Sequence, residues 1–210
     1  MINTKRSILL GLAMAVCVTT PAISADTSNP NWPCVQRKVE TLTSAQIWDG
    51  PPVDEIKNWW EDREIGKLAR YVITRRVSME EVEQAIEKFA NTIPEGKERD
   101  KKLTILFAGV LDETNTVRKR IMNSIELFQS RQLARAAELE REGTQLAELH
   151  KKRQAGTDVS AELAKAQKEY DWNARIFKER EEAVPVACEI PVDIEQRAFA
   201  VGRTIRFHMS

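Results

Sequence analysis

Turn and strand formers are scarce in this chain of 210 residues: eight Gly, eight Pro and two Tyr. That is too few for an all-β design with its many turns. Charge of one sign is lacking too, with 32 basic residues against 32 acidic. A near-neutral chain gives no electrostatic case for binding nucleic acid or an anionic membrane surface. Two histidines are present, and no His-Glu-x-x-His, clustered ligand set or Asp-rich calcium loop accompanies them. Nucleophile elbow, phosphate loop and dinucleotide fingerprint are missing as well. The sequence thus nominates no catalytic residue, cofactor or metal, and the expectation is a protein that is not an enzyme. What it does contain, 42% apolar and 30% charged residues, fits a helix-rich globular chain rather than a disordered one.

The longest apolar run, Ile8 to Val18, follows Lys5 and Arg6 and precedes the small residues Pro21-Ala22-Ile23-Ser24-Ala25. This order of charged, apolar and small segments is that of a secretory signal, read as residues 1–25 with cleavage near Ala25. The run is shorter than the roughly 20 residues of a membrane span. Export to a bacterial periplasm is the expected location. About 185 residues would then remain, enough for one domain with its own core, at a net charge of about −2.

Of three cysteines, Cys34 and Cys188 lie beyond the signal. An oxidising compartment favours pairing them, and no Cys-x-x-Cys spacing points to redox chemistry. Proline marks both surroundings, Asn29-Pro30-Asn31-Trp32-Pro33-Cys34 and Pro185-Val186-Ala187-Cys188-Glu189-Ile190-Pro191. Both read as extended straps, joined by a disulfide, with Pro191 opening a last helix.

Between them the periodicity is helical. Residues 26–52 form the N-terminal strap, with a short helix capped by Thr43 or Ser44. Residues 53–94 form a helical body: one helix from Asp54 to about Arg75, then a second opened by the capping box of Ser78 and Glu81. From about Glu98 to Arg153, steps of three and four link Leu103, Phe107, Val110, Thr114, Val117, Ile121, Ile125, Phe128, Gln132, Ala136, Leu139, Gly143, Leu146 and His150. One long helix follows from this stripe. Gly156 and Asp158 stop and restart it, and Val159, Leu163, Ala166, Tyr170, Ala174 and Phe177 line a return helix. Reversal near 156 opposes large and small residues, Gly143 with Tyr170 and Leu139 with Ala174, as interdigitating layers require. The expected fold is all-α: a helical body with a long antiparallel coiled-coil-like hairpin over 95–184, followed by a strap and helix over 185–210.

Two functions from different classes emerge. The first is an exported interaction protein, accessory or chaperone-like, whose hairpin meets another envelope protein or a client polypeptide. Arg118, Arg131, Arg135, His150, Lys151, Lys152 and Arg153 are its candidate partner surface. The second is a small-molecule or cation binding module on Trp32, Trp48, Trp59 and Trp60, interleaved with Asp49, Asp54, Glu55, Glu61 and Asp62. The same rings also serve as packing candidates.

Leu42-Thr43-Ser44-Ala45-Gln46 resembles the Leu-Thr-x-x-Gln element of small helical periplasmic stress chaperones, a family whose helical cradle carries the element twice. It occurs once here, and a long hairpin with a spanning cysteine pair departs from that pattern. The projecting hairpin is similar to those of a coiled-coil periplasmic chaperone family that is typically basic and trimeric. Neither resemblance extends over the chain.

Overall fold

The computed structural model describes residues 29–210; the signal-like segment lies outside the described residues. The fold is all-α. After an extended strap come α1 (Ser44–Ile47), a 3-10 turn (Trp59–Glu61), α2 (Arg63–Val72), α3 (Met79–Asn91), α4 (Lys97–Gln154), α5 (Ser160–Glu182) and α6 (Val184–Phe207).

Local signals explain most boundaries. Thr43 precedes α1, its amide donating to Gln46 Oε1 at 2.7 Å. Ser78 and Glu81 close a reciprocal box on α3, as their spacing requires. Residues 54–75 are not one helix. Asp62 accepts from the amides of Glu64 and Ile65, and this cap starts α2 afresh after the 3-10 turn. The break also resolves the consecutive tryptophans, which a continuous helix would set about 100° apart: Trp59 turns inward at 4% exposure and Trp60 stays 52% exposed.

α4 is a single helix of 58 residues, about 87 Å long at 1.5 Å per residue. Gly143 does not interrupt it. Gly156, with φ of 86°, makes the left-handed stop that glycine adopts most readily, and α5 returns antiparallel. An ideal Cβ on Gly143 would lie 3.6 Å from Tyr170 Cε2, so these two positions face each other as the reversal predicts. Asn173 Nδ2 donates to Glu142 Oε1 at 2.7 Å, and Gln132 Nε2 to the Phe177 carbonyl at 3.3 Å.

The segment expected as a second strap is helix instead. Pro185 falls in the first turn of α6, where its missing N–H costs no bond. Pro191 sits inside the helix and is buried. Cys188, Pro191, Ile194, Ala198, Val201 and Ile205 make one buried stripe on α6, and packing that stripe on α4 outweighs the bond Pro191 removes. The return arm thus continues along α4 towards its N-terminus.

Two apolar clusters follow. The larger joins α2, α3, α6 and the first turns of α4 around Ile65, Val72, Ile86, Leu103, Phe107 and Val201. The smaller surrounds the Cys34–Cys188 disulfide with Trp32, Met122 and Ile125. That bond joins strap to α6 across 154 residues, with Cα atoms 5.5 Å apart. Beyond Gln132, burial in the hairpin is sparse: Leu146 on α4, Val159 just before α5 and Leu163 on α5.

Candidate functional site

The four tryptophans grouped in the sequence occupy three places. Trp32 is 7% exposed beside the disulfide and donates from its indole nitrogen to the Gln36 carbonyl at 2.7 Å. Trp48 stacks on Phe107, centroids 4.1 Å apart and planes 9° apart, its Nε1 donating to Pro51 O at 2.8 Å. Both rings are packing groups. Only Trp59 and Trp60 share a site, meeting edge to face at 5.7 Å.

That pair borders a cleft of about 580 Å³ between the strap and α4. Leu42, Val53, Trp59 and Leu111 supply apolar wall, with Asp54, Lys57 and Asp112 as its charged groups. Trp59 Nε1 donates to Asp112 Oδ2 at 3.1 Å, and the Arg70 guanidinium lies 5.6 Å from the Trp59 ring centroid. Arg70 is itself paired with Glu113 at 3.0 Å. Asp62, which caps α2, is held below the usual carboxylate range by Lys102 at 2.5 Å and by the amides it caps.

A polar layer separates the cleft from the disulfide cluster. Asn115 binds Leu42 at both backbone groups, Oδ1 accepting at 2.8 Å and Nδ2 donating at 3.0 Å. The chaperone-like Leu-Thr-x-x-Gln element is therefore a fastening here: Leu42 anchors, Thr43 and Gln46 cap. Thr114 and Arg118 are each 1% exposed. Arg118 Nη2 donates to the Val39 carbonyl at 3.0 Å and to Glu195 at 2.5 Å. Its Nε and Nη1, like Thr114 Oγ1, have no hydrogen-bond partner among the described residues.

Arg118 is thus no part of a partner surface. The expected outer face is covered, because the strap and α6 close over that side of α4. Arg131 is exposed and Arg135 half-buried on the free half of the hairpin. Lys151, Lys152 and Arg153 are exposed in the last turn of α4, where cations complement the helix dipole. Lys151 pairs with Glu148 at 2.8 Å, and half-buried His150 lies 3.3 Å from Arg153 through Nδ1.

Sequence reasoning passed over Trp172. It is 58% exposed on α5, with the Arg175 guanidinium 4.5 Å from its ring centroid. The signal was available: Tyr170, Ala174 and Phe177 form the inward stripe, and 172 falls outside it.

Among the described residues no His, Cys, Asp or Glu group is placed to hold a metal, and no helix is long and apolar enough to cross a membrane. Comparison with family models, with curated proteins and with solved structures finds no match.

Proposed function

We propose that the chain is an exported helical interaction protein, accessory or chaperone-like, whose projecting hairpin engages another envelope protein or a client polypeptide. The observation that carries this reading is the free half of the hairpin. Its two arms extend beyond Gln132 with Leu146, Val159 and Leu163 as their buried residues, while Trp172 and Leu133 stand 58% and 46% exposed. A helix pair that buries so little is maintained for reach rather than for core. A large exposed aromatic on it has the character of an interface anchor. The signal-like N-terminus and the disulfide support an envelope location.

The test removes reach without touching the body. Residues 140–173 are deleted and Leu139 is joined to Ala174 through a short glycine turn. The shortened protein is expected to keep its helical spectrum and melting temperature within a few degrees. It should lose the envelope protein that crosslinks to the full chain, and Trp172→Ala should weaken that crosslink without unfolding. A shortened chain that fails to fold makes the hairpin core, and one that retains its partner moves the interface elsewhere.

A further inference from the structure

The cleft beside Trp59 and Trp60 is not explained by the hairpin, and its chemistry is specific. We propose that it binds a small organic ammonium compound, with the cation near Asp54 and Asp112 and the apolar body against Trp60 and the wall formed by Leu42, Val53 and Leu111. This inference stands apart from the hairpin reading.

Charge decides the sign of the ligand. Two acids flanking the cleft are already matched, Asp62 by Lys102 and Glu113 by Arg70. Asp54 and Asp112 line the cleft with no cation within ion-pair distance among the described residues. Their partners are neutral donors: Ser44 Oγ to Asp54 Oδ1 at 3.3 Å and Trp59 Nε1 to Asp112 Oδ2 at 3.1 Å. Lys57 is the one basic residue of the wall, so the wall keeps an excess of one negative charge. Each carboxylate retains acceptor capacity for an ammonium N–H.

Aromatic geometry selects the ring. Trp59 is unsuited, since it is buried and already has a guanidinium near its ring. Trp60 offers an exposed indole at the cleft edge, where an alkylammonium gains from the ring quadrupole. The volume of about 580 Å³ falls within the range of small-ligand clefts. An anion would meet two carboxylates, and a neutral compound would leave both unused.

Three probes of one shape separate these cases: phenethylamine, 2-phenylethanol and 3-phenylpropionate, titrated against the full chain with tryptophan fluorescence and calorimetry. Saturable binding of the amine is expected, about tenfold tighter than the alcohol, with none by the carboxylate. Asp112→Asn preserves an acceptor for the Trp59 indole, so the fold stays intact while amine affinity drops about fivefold and the alcohol is unaffected. Trp60→Leu should weaken both amine and alcohol. Asp54→Asn supplies an independent second variant should Asp112→Asn alter the melting temperature. Equal binding of amine and alcohol, no saturable response to the amine, or unchanged amine affinity in both carboxamide variants would overturn the proposal.

Discussion

Arg118 occupies the most unusual position of any single residue. The residue is 1% exposed, two of its nitrogens lack partners among the described residues, and only Nη2 is satisfied, by Glu195 and the Val39 carbonyl. Burying an ion that is only partly paired costs free energy that its remaining contacts do not fully return. The side chain nevertheless fills space between strap, α4 and α6, so its stem contributes packing independently of charge. Arg118→Met should therefore stay within about 1 kcal/mol of the parent, because an apolar side chain of similar length keeps the packing and drops the desolvation. Arg118→Ala should lose about 3 kcal/mol, since it opens a cavity as well. Urea denaturation of both variants checks the pair. Equal losses would show that the charge itself, rather than the volume, holds the strap.

Elements were legible in the sequence where a signal was local and repeated. The α4 stripe, the Gly156 stop and the Ser78–Glu81 box needed no knowledge of neighbours, and the all-α hairpin follows from them. What stayed hidden depends on segments remote in sequence. Periodicity placed Val117 and Ile121 inward, yet Arg118 and Met122 are the buried residues, because the strap covers that side. Glycine shows the same division. Gly143 was singled out, but a Cβ there would make ordinary contact at 3.6 Å; Gly109 and Gly202 were not, though Cβ atoms would come within 2.8 Å of Trp59 and 2.9 Å of the Ile47 carbonyl. The site was less legible than the fold: spacing grouped four tryptophans, of which two share a cleft, and Trp172 went unremarked. The strap itself carries a pH prediction. Lys38 and Asn29 both donate to Glu126, each at 2.8 Å. The Lys38 hydrogen bond lowers the Glu126 pKa from an ordinary 4.5, and Glu126 in turn raises that of Lys38 above an ordinary 10.5. A depressed carboxyl stabilises above its unfolded value and is lost as pH falls through the folded one; a raised lysine stabilises below its unfolded value and is lost as pH rises through the folded one. The tie is thus complete between about pH 4.5 and 10.5. Amide exchange in residues 29–42, corrected for intrinsic rate, should accelerate below that window, and Glu126→Gln should remove the acid limb. An acid limb that persists in the variant assigns the effect to another group.

At the scale of the whole molecule, the disulfide sits between two unequal parts. On one side is a helical body packed around Phe107 and Val201; on the other are arms held mainly by each other. Because Cys34 and Cys188 meet beside Met122 and Ile125, the bond clamps strap and α6 onto the middle of α4, where the larger cluster has ended. Closing a loop of 154 residues constrains the unfolded chain by about 5 kcal/mol in the loop-entropy model, an upper figure. The native long axis does not depend on it, since α4 is continuous through this level. Reduction should therefore lower the melting temperature, by up to about 10–20 °C, and speed exchange in residues 29–42, while the body amides of α2 and α3 stay protected at neutral pH. Small-angle scattering of the reduced protein should still show a maximum dimension of at least about 85 Å, as the length of α4 demands. A collapse to a much smaller dimension would mean that the clamp, and not helix continuity, keeps the hairpin extended. An unchanged melting temperature would mean that the Asn115 and Arg118 contacts already hold the strap without it.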